Sequence, residues 1–220
     1  MLILALDTAT EQGSLALVAA DRLLLEYSLE SPGAYLTRLM PGVEALLQAT
    51  GRRLEEVGAI AVSQGPGNFT GLRLGLATAK GLAWALACPL VAVPTLEVLA
   101  AQLPFQPHPV GVLLDAKRQE VFFGLFRGRP ERPEPLADPI RLPVSLLPPR
   151  LKPPLTLTGP GLNAYRDFLE EVLPRDIHWA PPEIRYPRAF TVARLARWRL
   201  EQGLTTPPAQ LTPTYLRPAL

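Results

Sequence analysis

The turn that follows the first predicted strand carries the first residues whose types could do chemistry. Asp7, Thr8 and Thr10 lie close together there and are followed by Glu11. Aspartate and hydroxyl side chains in such a turn can hold a metal ion and a phosphate group. Ala9 stands where a glycine would let the backbone approach a phosphate, and Glu11 adds a charge that repels one. A nucleotide site and simple capping of the turn by short polar side chains both remain open, and we favour capping.

A glycine-rich loop, Ser63 to Gly71, could bind an anion because it leads directly into a predicted helix. Gly65 and Gly67 therefore join the candidate nucleotide-binding residues. The loop has no P-loop lysine, and its glycines lack the spacing of a dinucleotide-binding turn. A row of small residues at four-residue spacing runs on into the helix: Gly67, Gly71, Gly75 and Ala79. Because glycine disfavours a helix interior, this row predicts close approach by another backbone, from the chain's own sheet or from a partner.

Other catalytic and metal-binding arrangements are not indicated. The two histidines, His108 and His178, are far apart and form no H-x-x-x-H or H-E-x-x-H pair, and Cys88 is the only cysteine. Asp115 and Glu120 flank the start of a predicted strand, where turn capping explains them better than acid–base catalysis. We therefore predict no catalytic residue, no metal ligand and no cofactor.

Composition narrows the class of protein further. The 220 residues carry a formal net charge of +2, and the arginines are spread along the chain, so tight RNA binding by the chain alone is not predicted. An apolar content of 48% is sufficient for one core in each of two lobes. No apolar run approaches the length of a membrane span, and no signal-peptide pattern precedes Leu2. We therefore expect a cytoplasmic protein.

Hydrophobic periodicity predicts the elements that position these residues. The first half gives strands at Leu2 to Asp7, Ser14 to Val18, Arg22 to Leu29, Gly58 to Ser63 and Leu90 to Val93. Helices are predicted around Leu36 to Leu47, over Thr70 to Ala87 with Thr70 or Asn68 as cap, and over Thr95 to Leu103. The order β-β-β-α-β-α-β-α is that of a ribonuclease H-like unit, an α/β fold with a mixed sheet and helices on both faces.

The second half repeats this plan in a shortened form. Strands are predicted at Val110 to Leu114, Glu120 to Phe126 and Leu155 to Thr158, and helices at Leu162 to Leu173 and Thr191 to Glu201. A strand ending in aspartate recurs at Asp7 and Asp115, and the Gly-Pro-Gly turn recurs at Gly65 and Gly159. We therefore predict two lobes of the actin-like and sugar-kinase type, 1–103 and 104–220, with the second truncated and the last helix and tail able to pack back on the first.

Several segments carry a family resemblance. Ala61 to Gly75, continuing through Lys80 to Ala83, resembles the signature of the TsaB family, also called YeaZ. Further similar segments are Ile3 to Thr10, Leu39 to Pro41, Asp115 to Phe122 and Pro213 to Arg217. The similarity spans nearly the whole chain. It implies the two-lobed fold and a role in tRNA modification.

The resemblance also implies a partner. TsaB-like proteins are similar to the catalytic subunit TsaD, which transfers a threonylcarbamoyl group to the adenosine beside the tRNA anticodon, and they are implied to be its obligate dimer partner. TsaD-like chains hold an H-x-x-x-H metal pair where this sequence has Thr95 and Leu99. The resemblance therefore implies a non-catalytic scaffold, with a TsaE-type ATPase joining the assembly, tRNA contacted only indirectly, and homodimers possible when TsaD is missing.

The implied contact with TsaD uses the first two helices of the first lobe. Candidate interface residues on these helices are Leu36, Leu39, Met40, Val43, Leu47, Gly71, Leu72, Gly75, Leu76 and Lys80. Each could instead face the core, since an apolar helix stripe serves either purpose. Two other functions remain open: an ATP-binding kinase or ATPase of the actin-like fold, and more remotely a glycoprotease-like metallopeptidase.

Overall fold

The computed structural model describes residues 1–30 and 35–216, without the side chains of Leu29, Glu30 and Leu36. The described strands are β1 (Leu2–Asp7), β2 (Gln12–Ala19), β3 (Arg22–Glu30), β4 (Val57–Gly65), β5 (Leu90–Pro94), β6 (Val110–Lys117), β7 (Glu120–Arg127), β8 (Glu134–Pro135), β9 (Ile140–Pro143), β10 (Leu155–Thr158) and β11 (Ile177–Trp179). The described helices are α1 (Tyr35–Thr50), α2 (Phe69–Ala85), α3 (Thr95–Ala101), α4 (Gly161–Ala164), α5 (Arg166–Val172) and α6 (Ala189–Glu201). Single 3₁₀ turns occur at Leu54–Glu56, Val144–Leu146, Pro148–Arg150, Pro182–Ile184 and Pro208–Gln210.

The structure confirms the predicted order of elements and differs from it in the second half. Asn68 is the cap of α2, where its side-chain oxygen accepts a hydrogen bond from the Gly71 amide at 2.9 Å. The single helix predicted over Leu162 to Leu173 is wrong, because Tyr165 leaves the helical conformation, with φ −122° and ψ 26°, and separates α4 from α5. Strands β8, β9 and β11 were not predicted, since runs of two to four residues carry too little periodicity to be recognised.

The chain divides into two compact units. The first contains Met1–Val98 and Pro187–Thr214, and the second contains Leu99–Tyr186 and resumes at Tyr215. The sequence division assigned 104–220 to the second lobe and allowed the last helix to pack back on the first. Helix α6 packs on β1, β2, β4 and β5 of the first unit. The N-terminus of α6 is held there by Glu26 of β3, whose carboxylate accepts hydrogen bonds from the Phe190 amide and from the Arg188 guanidinium.

The sheet of the first unit has the order β3-β2-β1-β4-β5. Strands β1 to β3 are antiparallel neighbours, while β4 pairs parallel with both β1 and β5. Register places Leu4 of β1 beside Leu17 of β2 and Ile60 of β4, so these three side chains share one face. That face packs against α1 and α2 in a single buried cluster, and α6 contacts the same strands. Burial on both faces explains the continuous apolar run of β1.

The second unit repeats the centre of this sheet. Its order is β11-β10-β6-β7-β8, with β9 also paired to β7. The β6–β7 hairpin corresponds to β1–β2, and the parallel strands β10 and β11 correspond to β4 and β5. Gly65 and Gly159, which end β4 and follow β10, have similar left-handed φ values of 112° and 104°. The duplicated α/β plan predicted from the sequence is therefore confirmed.

Helix α2 lies unusually close to the turn between β1 and β2. A Cβ atom added at Gly67 would lie 2.2 Å from the carbonyl oxygen of Ala9, and one at Gly71 would lie 2.2 Å from that of Thr8. At Gly75 it would lie 2.1 Å from the Thr8 Oγ1 atom. These distances are far below any real carbon–oxygen contact, so the glycine row exists to pack α2 against its own unit.

The part of the chain that the structure describes contains no helix both long and apolar enough to cross a bilayer.

Replacing Gly75 with alanine should therefore destabilise the protein by about 2 kcal/mol or more, since the added methyl group collides with Thr8. Gly81 lies in the same helix, and a Cβ atom added there would have no neighbour within 4 Å. Gly81→Ala should accordingly stabilise the protein by roughly 0.5–1 kcal/mol. Urea unfolding of both variants measures the two free energies. Equal effects of the two substitutions on the free energy of unfolding would show that close packing does not explain Gly67, Gly71 and Gly75.

Candidate functional site

Asp7 is the buried polar centre of the first unit. Its Oδ1 atom accepts a hydrogen bond from the Ala9 amide at 3.1 Å, and its Oδ2 atom accepts one from the Ser63 hydroxyl. Burial raises the pKa of this carboxyl to about 7, although the bonds from Ser63 and Ala9 act in the opposite direction. Nearby, the Tyr35 hydroxyl donates to the Thr10 carbonyl at 2.7 Å, and burial together with the charges of Asp7 and Glu11 raises the pKa of Tyr35.

The other polar side chains of the turn also bond to the chain itself. The Thr8 hydroxyl donates to the carbonyl of Gly71 at 2.7 Å, and the Thr10 hydroxyl donates to that of Gln12 at 2.7 Å. Asp7, Thr8 and Thr10 are all buried. In this geometry the polar side chains cap the turn by bonding to the chain's own backbone. Of the two interpretations left open by the sequence, a nucleotide site and turn capping, the geometry is typical of capping.

The glycine loop after β4 also forms hydrogen bonds with other parts of the chain. The Gly65 amide donates to the Thr95 hydroxyl at 3.1 Å, and the Asn68 amide donates to the Ala9 carbonyl at 2.7 Å. A later segment of the same unit crosses the loop: the Thr214 amide donates to the Gln64 carbonyl at 3.0 Å, and the Gln64 side chain donates to the Thr212 carbonyl at 3.0 Å. Two amides of this loop, those of Gly65 and Asn68, are therefore bonded to protein oxygens and not directed at a phosphate.

Thr95 and Leu99, which the family resemblance matches to the metal pair of TsaD-like chains, show no arrangement typical of metal ligands. Thr95 and Leu99 are both fully buried, and Thr95 accepts the bond from Gly65. Within residues 1–30 and 35–216, no group of three or more His, Cys, Asp and Glu side chains could hold a metal ion. His108 and His178, distant in the sequence, come together with their rings nearly parallel and their centroids 5.9 Å apart.

Most of the predicted interface residues lie in the core of the first unit. Leu39, Val43, Leu47, Leu72 and Leu76 are buried, and so are Gly71 and Gly75. Met40 is exposed, Lys80 is partly exposed, and the side chain of Leu36 lies outside the described part of the structure. The apolar stripe used to predict an interface is thus the inner face of each helix. Hydrophobic periodicity identifies the buried face of a helix, but it does not show whether the chain's own sheet or a partner protein covers that face.

A different set of side chains forms the outer face of α2. At spacings of three or four residues they are Phe69, Arg73, Ala77, Gly81 and Trp84, and we call them the outer row. The two ends of the row are aromatic and highly exposed, with 53% of Phe69 and 83% of Trp84 accessible. Arg73 lies over the Phe69 ring, 3.7 Å from its centroid. The sequence-based prediction missed this row, although two aromatic residues out of phase with the buried stripe were a usable signal.

Helix α1 lies beside α2 and adds to this surface. Its exposed residues include Thr37, Arg38, Met40, Pro41, Glu44, Ala45 and Gln48. Met40 is 41% exposed and supplies a flexible apolar side chain, a type that is frequent at protein interfaces. Together, the outer faces of α1 and α2 form a surface with aromatic, small and charged positions.

In the second unit, Asp115 organises the tip of the β6–β7 hairpin. Its carboxylate accepts hydrogen bonds from the Lys117 amide and ammonium, both at 2.7 Å, and from the Tyr165 hydroxyl at 2.9 Å. Burial opposes these bonds, but they hold the pKa of Asp115 below its ordinary value. Lys117, Arg118 and Gln119 all have φ between 53° and 63°. The bonds to Asp115 support this left-handed tip. Such bonding is typical of turn capping, the interpretation that the sequence favoured over acid–base catalysis.

Comparison with known proteins agrees with this architecture. A family model described as "TsaD: tRNA N6-adenosine threonylcarbamoyltransferase" matches residues 32–219. A protein of Bacillus subtilis named "tRNA threonylcarbamoyladenosine biosynthesis protein TsaB" is 32% identical over 79% of this chain and 77% of its own length. The Escherichia coli protein of the same name is 30% identical over 99% of this chain and 95% of its own. The chain belongs to the TsaD-like family and, within it, to the TsaB (YeaZ) group.

Solved structures extend the comparison. YeaZ from Pseudomonas aeruginosa superposes with a TM-score of 0.83 at 30% identity, covering 98% of this chain and 99% of that one. A second Pseudomonas aeruginosa structure, described by its similarity to "peptidase YEAZ", has a TM-score of 0.84. The activator of 2-hydroxyisocaproyl-CoA dehydratase from Clostridium difficile, solved with bound ADPNP, is only 12% identical at a TM-score of 0.55. This last likeness shows a shared actin-like fold.

The raised pKa of Asp7 makes stability depend on pH. Between its ordinary value of 3.8 and about 7, the folded state keeps a proton that the unfolded state has lost. The free energy of unfolding should therefore fall as pH rises through this window, by at most about 1.4 kcal/mol per pH unit, and Asp7→Asn should lack that contribution. Urea unfolding of both proteins from pH 4.5 to 7.5 measures the difference.

The matched control is Asp21→Asn, since Asp21 is an exposed aspartate of the same unit. That variant should retain the pH dependence of the unmodified protein. A decline of equal steepness in Asp7→Asn would assign the dependence to other groups.

Proposed function

We propose that this chain is a non-catalytic scaffold subunit in cytoplasmic biosynthesis of threonylcarbamoyladenosine in tRNA, and that it binds a TsaD-type catalytic subunit. Membership of the TsaB group, with relatives named for this pathway, supports the process. The bonding of the Asp7 turn and the glycine loop to the chain's own atoms supports a role without phosphate chemistry. The outer faces of α1 and α2 are the proposed docking surface.

One observation carries this choice of surface: the outer row has small residues at Ala77 and Gly81 and an exposed aromatic residue at each end. A glycine inside a helix costs about 1 kcal/mol relative to alanine, and an inner position such as Gly75 offsets that cost by close packing. Nothing lies within 4 Å of a Cβ at Gly81, so no described neighbour accounts for this glycine. Close approach by a second protein would account for it.

The dimensions of the row suit a helical partner. Phe69 and Trp84 are separated by 15 residues, which corresponds to about 22 Å along a helix. A partner helix lying over Ala77 and Gly81 would reach both aromatic side chains. Exposed aromatic residues are also the side chains that most often dominate binding energy. The resemblance to TsaD implies counterpart helices on the catalytic subunit, so each protein would contribute two helices.

Trp84→Ala should weaken binding to the TsaD-type subunit by about 2 kcal/mol, roughly thirtyfold, because it removes an exposed anchor at one end of the row. Gly81→Leu should weaken binding at least as much, because its side chain would hold the two helices apart. Titration calorimetry with the purified TsaD-type subunit measures both changes. Formation of threonylcarbamoyladenosine by the reconstituted complex should fall in parallel.

Phe105→Ala is the matched control, since Phe105 lies in the second unit and is 80% exposed, almost as much as Trp84. This variant should bind the TsaD-type subunit normally. Equal losses in Trp84→Ala and Phe105→Ala, or none in either, would contradict the proposed surface. Modification of tRNA by this chain in the absence of the TsaD-type subunit would contradict its non-catalytic role.

The same surface provides a proposal for the isolated chain. We infer that two copies associate through their outer rows when the TsaD-type subunit is absent, because the exposed aromatic ends remain uncovered. Sedimentation should show a concentration-dependent dimer that Trp84→Ala weakens and that the TsaD-type subunit displaces. A monomer at all concentrations would contradict the proposed homodimer. It would not bear on the proposed binding to the TsaD-type subunit. Participation of a TsaE-type ATPase rests on the family resemblance alone.

A further inference from the structure

Arg185 in the second unit carries a buried positive charge. Only 7% of the residue is exposed. Its Nε atom donates to the Ala180 carbonyl at 2.8 Å, its Nη1 atom donates to the Asn163 side-chain oxygen at 2.7 Å, and its guanidinium lies 5.9 Å from the centroid of the Trp179 ring. These three neighbours are electrically neutral. No ion pair between described residues includes Arg185.

Such an environment is unfavourable for a guanidinium, which stays charged in proteins. Removal of its charge from water is normally compensated by a carboxylate or a phosphate. Burial lowers the pKa of Arg185, and the charge of Arg166 lowers it further, while Glu183 and Tyr186 act in the opposite direction. Arg166 is itself paired with Glu170 at 2.8 Å. Two of the five N–H groups of Arg185 have the acceptors named above, so others remain for a ligand.

The place of Arg185 in the fold also favours a ligand. Strands β6, β10 and β11 run parallel, and in open α/β sheets ligands bind beyond the carboxyl ends of such strands. Trp179 is the last residue of β11, and Thr158, the last residue of β10, donates to the carbonyl of Ile184 at 3.4 Å. Asn163 lies in α4, which follows β10. The residues around Arg185 therefore gather at this edge of the second sheet.

We propose that Arg185, with Asn163 as its positioning residue and Arg166 as a second positive charge, binds an oxyanion of the phosphate or carboxylate class. The planar edge of a guanidinium matches two oxygens of either group. Asn163 holds the guanidinium in place and is itself oriented by donating to the Tyr186 hydroxyl at 3.3 Å. The site lies wholly within the second unit and is independent of the proposed docking surface.

Inorganic phosphate and acetate are the probes, each titrated at constant ionic strength with chloride as the replaced anion. The chain has three tryptophans, so its indole N–H groups give three NMR signals, and Trp179→Phe assigns the one beside Arg185. The Trp179 signal should shift saturably with at least one probe. Tighter binding of phosphate would identify a phosphoryl ligand, and tighter binding of acetate would identify a carboxylate.

Arg185→Gln should weaken the better probe about tenfold or more, because a hydrogen bond from a charged donor is lost. Arg185→Lys should retain part of the affinity, since it keeps the charge without the planar fork. Arg150→Gln removes one exposed arginine of the same unit and should leave the affinity unchanged.

If Arg185→Gln does not fold, Arg166→Gln provides the test, since Arg166 is exposed. Affinity about threefold lower in that variant would support the site, and unchanged affinity would contradict it. The proposal is overturned if neither probe gives a saturable shift at Trp179. It is equally overturned if a folded Arg185→Gln variant binds the probe as the unmodified protein does.

Discussion

The contact between helix α2 and the β1–β2 turn is the constraint on which the first unit depends. Gly67, Gly71 and Gly75 bring the helix so close that a methyl group at any of them would overlap an atom of Thr8 or Ala9. This closeness excludes water from the turn, and Asp7 is consequently buried with Ser63 and the Ala9 amide as its hydrogen-bond partners. The raised pKa of Asp7, the orientation of Thr8 and the position of the glycine loop all follow from one packing arrangement.

The same contact occupies hydrogen-bonding groups that a phosphate would need in this turn. A phosphate site needs amide and hydroxyl groups that point into a solvent-accessible space. Here the Thr8 hydroxyl bonds to Gly71, the Asn68 amide to Ala9 and the Gly65 amide to Thr95. A nucleotide would have to break these bonds and move the helix before it could make its own. These groups therefore contribute to the packing of the first unit.

Much of this fold was predictable because the hydrophobic periodicity of a long segment indicates both its secondary structure and its buried face. Strand β1 and the inner faces of α1 and α2 followed from spacing alone, and the family signature identified the group. Spacing could not tell whether Leu39 or Leu76 meets its own sheet or a partner, because both environments are apolar. Asn163, Trp179 and Arg185 are joined by pairing between short strands, and no local pattern encodes that pairing. His108 and His178 meet for the same reason.

Close inner packing would also give the outer row a physical advantage as the proposed docking surface. A helix whose inner side cannot accept a methyl group has little freedom to shift against its sheet, so Phe69 and Trp84 are carried on a rigid support. Association is weakened when mobile side chains and backbone must be ordered, and a pre-organised helix avoids most of that entropy loss. Gly75 lies on the buried face of α2 and Gly81 on its exposed face. The inner glycine fixes where the helix lies, and the outer glycine leaves room above it for the proposed partner helix.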